Sequence, residues 1–243
     1  MLELADKAAI VTGGSRGIGK AIARAFLDEG AEVLIAARNE ADLQATTAEL
    51  AAAGGRVESI RADVSQEADV KALFARAADL YGRVDILVNN AGFGSRPSLR
   101  EMETEVWEAV IATNLTGTFL CTREALRMMV PRRSGRIINI GSISSQRVRP
   151  NSAPYSASKF GLVGLTHSTA LEGREFGISC GILHPGNVRV ERRTRGERTR
   201  DEEPMMEPAE LAQAALAMAS LPAHVNMLET TVLPVGQLFI GRG

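Results

Sequence analysis

Short apolar runs alternate with longer amphipathic stretches along most of the chain. The apolar runs predict six β-strands: Ala8–Thr12, Val33–Ala36, Val57–Arg61, Ile86–Val88, Ile137–Ile140 and Ile178–Leu183. The amphipathic stretches predict helices over Gly17–Glu29, Glu40–Ala53, Gln66–Tyr81, Glu103–Met129 and Ser152–Phe176. Regular alternation of strands and helices predicts an α/β fold, a doubly wound parallel sheet with helices on both faces. Such a sheet places its ligand crevice at the carboxyl ends of the strands.

Composition and charge narrow the class of protein. A chain of 243 residues can form one α/β domain, and we expect residues 1–243 to do so. The formal net charge of −1 gives no general attraction to nucleic acid or to an anionic membrane. No apolar run approaches the roughly 18 residues of a membrane span, and Met1–Lys7 lacks the apolar region of a signal peptide. We therefore expect a cytoplasmic protein that binds neither nucleic acid nor membrane.

Cysteine and histidine spacing predicts neither a metal site nor a disulfide. Cys121 and Cys180 lie far apart, which favours two buried thiols in a reducing compartment. His167, His184 and His224 also lack metal-ligand spacing, and only His184, at the end of a predicted strand, is expected near a functional site.

A glycine-rich turn joins the first predicted strand to the first helix. Glycines in such a turn let backbone N–H groups and the helix N-terminus approach a phosphate. The spacing is Gly-x-x-x-Gly-x-Gly, which differs from the Gly-x-Gly-x-x-Gly dinucleotide fingerprint, so a purely structural turn is the alternative. Its position between a strand and an amphipathic helix favours dinucleotide binding. The candidate cofactor-binding residues of this turn are Gly13, Ser15, Arg16, Gly17, Ile18 and Gly19.

The end of the second predicted strand indicates which dinucleotide is preferred. NAD-binding folds carry an acidic residue here to bind the ribose 2′-hydroxyl. This chain instead reads Ala36-Ala37-Arg38-Asn39, and the Arg38 guanidinium can pair with a 2′-phosphate. Arg16 could reach the same phosphate, although both could also be ordinary surface arginines. We predict a preference for NADP(H), with NAD(H) possible.

Two further groups of residues follow predicted strands and can line the same crevice. Asp63 and Val64 follow the third strand, where Asp63 could accept from an adenine amino group or could instead cap the next helix. Asn90, Ala91 and Gly92 follow the fourth strand, and the two small residues allow a cofactor to lie against the backbone.

A hydroxyl, a phenol and an ammonium recur at a spacing suited to acid–base chemistry. Tyr155 and Lys159 stand four residues apart on a predicted helix and therefore share one face. An ammonium close to a phenol favours the phenolate and lowers its pKa from about 10. Ser142, at the end of a strand, could hold a carbonyl oxygen in line with the phenol. By itself, the Tyr155–Lys159 spacing also fits an ordinary pair on a helix surface.

Taken together, these motifs resemble the short-chain dehydrogenase/reductase family over essentially the whole chain. The motifs are Thr12–Gly19, Asp63-Val64, Asn89–Gly92, Asn114, Ser142, Tyr155-x-x-x-Lys159 and Pro185-Gly186. The resemblance implies a Rossmann-type sheet of seven parallel strands in a three-layer α/β/α domain. Within the family, the chain is similar to 3-oxoacyl reductases and 3-hydroxy-acid dehydrogenases.

The resemblance also implies roles for individual residues. Tyr155 would be the general acid/base, Lys159 would hold the nicotinamide ribose and Ser142 would orient the substrate oxygen. Asn114 would position a water for a proton relay. Pro185, Gly186 and Val188 would meet the nicotinamide. The family usually pairs the helices predicted at Glu103–Met129 and Ser152–Phe176 into a homotetramer.

The segment from about 188 to 208 differs in character from the rest of the chain and is predicted to be a mobile substrate loop. Six arginines lie between residues 189 and 200, interleaved with glutamates. They could form a solvated flap, or one or two could grip a carboxylate or phosphate of the substrate.

The residues therefore predict an NADP(H)-dependent oxidoreductase that transfers hydride between the nicotinamide and a ketone or secondary alcohol. The alternative from another class is a non-catalytic protein that binds the cofactor as a sensor or scaffold. A complete set of acid–base residues argues against that alternative, because a sensor need not retain them.

Overall fold

The computed structural model describes residues 3–95, 97–190 and 203–239. Within these ranges, seven parallel strands form one sheet in the order β3-β2-β1-β4-β5-β6-β7. The strands are β1 Ala8–Thr12, β2 Glu32–Ala37, β3 Arg56–Arg61, β4 Ile86–Asn89, β5 Gly135–Ile140, β6 Ile178–Pro185 and β7 Glu229–Val232. The expectation of a doubly wound parallel sheet is confirmed, and all six strands that the apolar pattern predicts are present.

Seven α-helices are found in the described ranges. They are α1 Gly17–Asp28, α2 Glu40–Ala52, α3 Glu67–Tyr81, α4 Thr104–Ile111, α5 Gly117–Met129, α6 Ala153–Gly173 and α7 Pro208–Ser220. Helix α7 begins with a capping box between Glu207 and Glu210, which satisfies backbone N–H groups at its first turn.

The prediction of one continuous helix over Glu103–Met129 is wrong. A π-helical turn over Ala112–Thr116 separates α4 from α5. The apolar periodicity continues through this turn. A π-helical turn adds only one residue to the helix, and the helical pattern of apolar positions is too approximate to show that addition. The interruption matters because Asn114 lies within it.

The core has two layers, one on each face of the sheet. One face packs against α1, α2 and α7, with Val11, Ile35 and Leu183 among its buried residues. The opposite face packs against α3 and α5 and buries Ile10 and Leu34. Neighbouring residues on one strand thus face opposite layers, as a three-layer α/β/α arrangement requires.

Strand order fixes where a ligand can bind. The connection from β1 runs outward to β2 and β3, and β4 then pairs with the other edge of β1. The helices that follow β1 and β4 therefore diverge to opposite faces, which opens a crevice at the carboxyl ends of these two strands. None of the helices in the described ranges combines the length and hydropathy of a membrane-spanning segment.

Candidate active site

A cleft of about 460 Å³ lies at the carboxyl ends of the strands. Of the residues predicted to act in binding or catalysis, the following line this cleft: Gly13, Ser15, Arg16, Gly17, Ile18, Arg38, Asp63, Val64, Asn90, Ala91, Gly92, Ser142, Tyr155, Lys159, Pro185, Gly186 and Val188. Gly19 and Asn114 are buried behind its wall rather than part of it. Residues scattered over most of the sequence are thus collected into one site.

The glycine-rich turn is held from both sides. Asn90 Nδ2 donates to the carbonyls of Thr12 and Gly13, each at 3.0 Å. Thr12 Oγ1 accepts from the backbone N–H groups of Asn90 and Ala91 at 3.0 and 3.2 Å. The loop after β4 therefore braces the turn after β1, and a phosphate would meet a rigid backbone.

Close packing explains two of the glycines. Gly13 has φ +65°, and a Cβ there would lie 2.9 Å from Ala91 Cα. A Cβ at Gly19 would overlap the Gly13 carbonyl oxygen and Asn90 Nδ2. Gly19 therefore contributes by letting α1 approach the turn, and does not itself form the wall of the cleft.

Among the described residues, no side chain caps the first turn of α1 from the position before the helix. Arg16 occupies the position before the helix and makes no side-chain cap hydrogen bond. Backbone N–H groups at a helix start without a cap attract anions, and the helix dipole adds to this. The residues present thus fit the diphosphate of a dinucleotide, which could lie against Gly17 and Ile18.

Arg38 lines the cleft directly after β2. Its guanidinium lies 5.8 Å from the centroid of the Phe93 ring, and Nη1 lies 3.9 Å from Asp63 Oδ2. More than half of its side chain is exposed, so it can turn toward a ligand at little cost.

Asp63 does not cap the next helix, because Gln66 occupies the position before α3. Its Oδ1 instead accepts from the N–H and the hydroxyl of Ser65, at 3.0 and 2.8 Å. Its Oδ2 remains on the side of Arg38, at the edge of the cleft.

Ser142 follows β5 and begins a short 3₁₀ turn over Ile143–Ser145. Its Oγ accepts from the backbone N–H of Ser144 at 3.0 Å. Because that bond uses a lone pair of the oxygen, the hydroxyl hydrogen remains available for donation to another group. Ser142 can therefore hold a substrate oxygen by donating to it.

Lys159 lies beside Tyr155 on α6. Its Nζ is 5.7 Å from the centroid of the Tyr155 ring and donates to the Ile140 carbonyl at 2.6 Å. Burial lowers the pKa of Lys159 to about 8, since the ammonium loses hydration. The group therefore remains mostly protonated at pH 7 while lying next to a half-buried phenol.

Asn114 lies in the π-helical turn, and its amide is fully engaged. Its Oδ1 accepts from the Phe93 N–H at 3.0 Å, while Nδ2 donates to the Phe93 carbonyl and to Ser158 Oγ at 2.9 and 3.1 Å. The side chain thus ties the loop after β4 to α6, close to Tyr155. Whether it also positions a water stays a prediction.

Several residues of the cleft wall were not predicted from the sequence. They are Ala36, Ala37, Asn39, Asp42, Ala62, Phe93, Thr113, Ile140, Gly141 and Val190. Most are apolar or small and carry no chemical signal. Asp42 could have been found from helix geometry, because the first turn of α2 begins beside Arg38 and is acidic.

The loop after β6 is fixed by the C-terminal segment. Gln237 is buried, and its Oε1 accepts from the Asn187 N–H at 2.7 Å. Val188 and Met206 form a β-bridge across the base of the predicted substrate loop. Residues 191–202, with most of the arginines of that loop, lie outside the described residues, so their predicted roles stay predictions.

Comparison with known proteins decides the family. The family model described as short chain dehydrogenase matches residues 7–201, which is most of the chain. The chain belongs to the short-chain dehydrogenase family. As a member it is an oxidoreductase that acts on alcohols or ketones with a nicotinamide cofactor.

Individual relatives agree with this assignment. A 3-oxoacyl-[acyl-carrier-protein] reductase of Synechocystis is 40% identical over 189 residues, which cover 77% of this chain and 76% of the relative. A crystal structure of an actinorhodin polyketide ketoreductase variant with NADPH has a TM-score of 0.87 and 34% identity, covering 93% of this chain and 95% of its own. A metagenomic short-chain oxidoreductase in complex with NADP has a TM-score of 0.85 and 34% identity, covering 96% and 99%.

Proposed function

We propose that this short-chain dehydrogenase uses NADPH to reduce a ketone to a secondary alcohol, with Tyr155 as the general acid. The observation that carries the proposal is the convergence of Ser142, Tyr155 and Lys159 on the cleft that the glycine-rich turn also lines. A hydroxyl donor, a proton donor and a buried ammonium are the groups that carbonyl reduction needs.

Each side chain then has a definite task. Bound NADPH supplies the hydride to the carbonyl carbon. Ser142 donates a hydrogen bond to the carbonyl oxygen and holds it in line with the phenol. Tyr155 gives its proton to that oxygen as negative charge develops, which leaves a phenolate that the Lys159 ammonium stabilises. In alcohol oxidation the same groups act in reverse, and Tyr155 accepts the proton.

The proposed preference for NADPH over NADH is supported by positive charge at the end of the cleft beside β2. Arg38 and Arg16 can both face a 2′-phosphate, and Arg38 is exposed enough to reorient. Asp42 and Asp63 also line this end. Their carboxylates would repel a phosphate that the arginines did not neutralise, so the preference rests on the two guanidinium groups.

The names of similar proteins guide the choice of substrate. Two of them are named for their substrates, a 3-oxoacyl group in one and a polyketide ketone in the other. We propose a ketone with a second carbonyl nearby as the substrate class. Reduction is the proposed direction in a cell that keeps NADPH reduced, and metabolite tracing that showed net alcohol oxidation would overturn it.

The test is NADPH consumption, with NADH in parallel, against 3-oxoacyl thioesters, β-keto acids, small diketones and steroid or quinone ketones. We expect turnover of at least one class, with NADPH favoured. No turnover across the panel, together with tight NADPH binding measured separately, would instead favour a non-catalytic cofactor-binding protein. The family assignment and the complete acid–base set both weigh against that outcome.

We also propose that the protein assembles as a homotetramer. Exposed aromatic side chains support this, since Trp107, Phe119 and Phe160 lie on α4, α5 and α6 with more than a third of each accessible. Exposed apolar side chains that recur on neighbouring helices are typical of subunit contacts. A cytoplasmic location remains an expectation from the sequence.

A further inference from the structure

His184 lies directly behind the candidate catalytic serine. It is fully buried on β6, and its Nδ1 is 3.0 Å from the Ser142 carbonyl oxygen. A carbonyl has no hydrogen to donate, so Nδ1 must carry the hydrogen of this bond. The same carbonyl accepts from the Ser145 N–H at 2.9 Å. The Ser142 peptide is thus held by its own turn on one side and by an imidazole on the other.

The backbone is shaped to admit this ring. A Cβ at Gly141 would lie 2.5 Å from His184 Nδ1 and 3.0 Å from Cε1, so a larger residue would displace the imidazole. Lys159 holds the Ile140 carbonyl two residues before Ser142. Both side chains therefore fix the end of β5, one on each side of Gly141.

The second ring nitrogen faces a carboxylate on the edge strand. His184 Nε2 is 3.7 Å from Glu229 Oε2, and Glu229 Oε1 is 2.7 Å from His167 Nε2. Within the described residues, Nε2 of His184 has no hydrogen-bond partner. Burial lowers the pKa of His184, so the ring is neutral near pH 7 and has a single N–H to donate. The shorter contact, to Ser142, determines where that hydrogen goes.

We propose that His184 is a positioning residue for Ser142. Its Nδ1–H fixes the Ser142 carbonyl, and the fixed peptide aims the Ser142 hydroxyl into the cleft toward the substrate oxygen. This inference rests on the proposed role of Ser142 in carbonyl reduction. Orientation of a donor by a buried second residue matters for rate because small displacements of the donor weaken transition-state stabilisation.

Two isosteric substitutions separate positioning from packing. In His184→Asn the side-chain amide nitrogen takes the place of Nδ1, whereas in His184→Gln it takes the place of Nε2. We expect His184→Gln and His184→Leu to lower kcat about tenfold, and His184→Asn to stay within about threefold of the unsubstituted enzyme. The dissociation constant for NADPH should change by less than about twofold in all three, and His224→Ala is the surface control.

Equal kcat values for the Asn and Gln variants would overturn the proposal, as would a parallel loss of NADPH affinity. The Asn–Gln pair decides the matter even if the Leu variant does not fold. Ser142→Ala tests the role of Ser142 in carbonyl reduction separately from the positioning role of His184. If Ser142→Ala keeps full activity, the proposed role of Ser142 in carbonyl reduction is wrong and His184 has no catalytic donor to position. If it is inactive while His184→Gln is fully active, only the positioning role is wrong.

Discussion

Lys159 shows how strongly one residue can be placed for function at the expense of stability. Burial lowers its pKa to about 8 from 10.5, so the folded protein keeps an ammonium in a site that disfavours charge. One carbonyl, that of Ile140, accepts from it within the described residues. Such a lysine is costly in a core, but in the proposed mechanism it supplies the positive charge that the Tyr155 phenolate requires.

The destabilisation caused by burying the Lys159 ammonium should depend on pH. The folded pKa lies below the unfolded one, so the unfolded chain binds more protons between about pH 8 and 10.5. Stability of the wild-type chain therefore rises with pH through this window. We expect Lys159→Met to lack this rise, so that its stability relative to wild type falls by about 2 kcal/mol between pH 7 and pH 10.

Urea unfolding of both proteins at the two pH values measures this difference, with the exposed Lys71→Met as the control. A relative stability that stays constant from pH 7 to pH 10 would show that Lys159 is not desolvated as described.

Substitution of Arg38 tests the proposed preference for NADPH over NADH. Replacing its guanidinium with a carboxylate removes a charge-assisted contact to the 2′-phosphate and offers an acceptor to a 2′-hydroxyl. We expect Arg38→Asp to lower kcat/KM for NADPH by about 10- to 100-fold while that for NADH is kept or raised. Arg24→Asp, on the outer face of α1, should leave the ratio of the two unchanged. An unchanged ratio of the kcat/KM values for NADPH and NADH in Arg38→Asp would show that Arg38 does not select the cofactor.

Sequence reasoning succeeded best for residues whose chemistry is rare and whose position is marked by a strand end. Ser142 and Arg38 are of this kind, and the spacing of Tyr155 and Lys159 on α6 brings Tyr155 to the same cleft. Phe93 and Gln237 were missed because neither side chain indicates a role by its type or its spacing. Their contacts depend on how distant segments pack, and composition gives no sign of that packing.

At the scale of elements, hydrogen bonds join the turn between β1 and α1 to the loop after β4. The Asn90 side chain donates to backbone carbonyls of the turn, and the Thr12 hydroxyl accepts from the backbone of the loop after β4. Gly19 lets the helix approach the turn. The turn and the loop after β4 therefore form one unit that is rigid before a ligand arrives.

Gly19→Ala should disturb this unit through overpacking. The added Cβ would overlap the Gly13 carbonyl oxygen and Asn90 Nδ2, both of which belong to the rigid turn. We expect a loss of about 1–3 kcal/mol in unfolding free energy and weaker NADPH binding. Arg24→Ala on the same helix removes an exposed ion pair with Asp28 and should cost less than about 0.5 kcal/mol. Equal effects of the two substitutions in denaturant unfolding would contradict the packing account.

Element types and order could be read from the sequence, but irregular geometry could not. Strands β1 to β6 follow from their apolar runs, whereas β7 is short, half exposed and was implied only by the family resemblance. The π-helical turn over Ala112–Thr116 leaves the apolar pattern nearly unchanged. It is set by long-range contacts of Asn114 with Phe93 and Ser158, which no local pattern encodes.

At the scale of the whole molecule, α6 carries both Tyr155 and Lys159 of the cleft and the exposed Phe160. A subunit contact through α5 and α6 would cover Phe119 and Phe160 and would support the helix that carries Tyr155 and Lys159. The proposed tetramer would therefore stabilise the helix that carries two of the candidate catalytic residues.

We expect light scattering after size exclusion to give the mass of four chains for the wild-type protein. Phe160→Glu should reduce that mass to a dimer or monomer, because a charge in a desolvated contact is not tolerated. Leu99→Glu, at an exposed position outside these helices, is the control and should leave the mass unchanged. A wild-type mass of one chain would contradict the proposed assembly.

Proton transfer by Tyr155 can be tested with a single substitution. Tyr155→Phe removes a single oxygen and leaves the ring, so the cleft keeps its shape. With the best ketone of the panel and saturating NADPH, we expect the rate of NADPH oxidation to fall by at least about 100-fold, in line with the loss of a general acid. NADPH affinity, measured by fluorescence titration, should change by less than about threefold. A variant that retains most of the wild-type rate would contradict the mechanism.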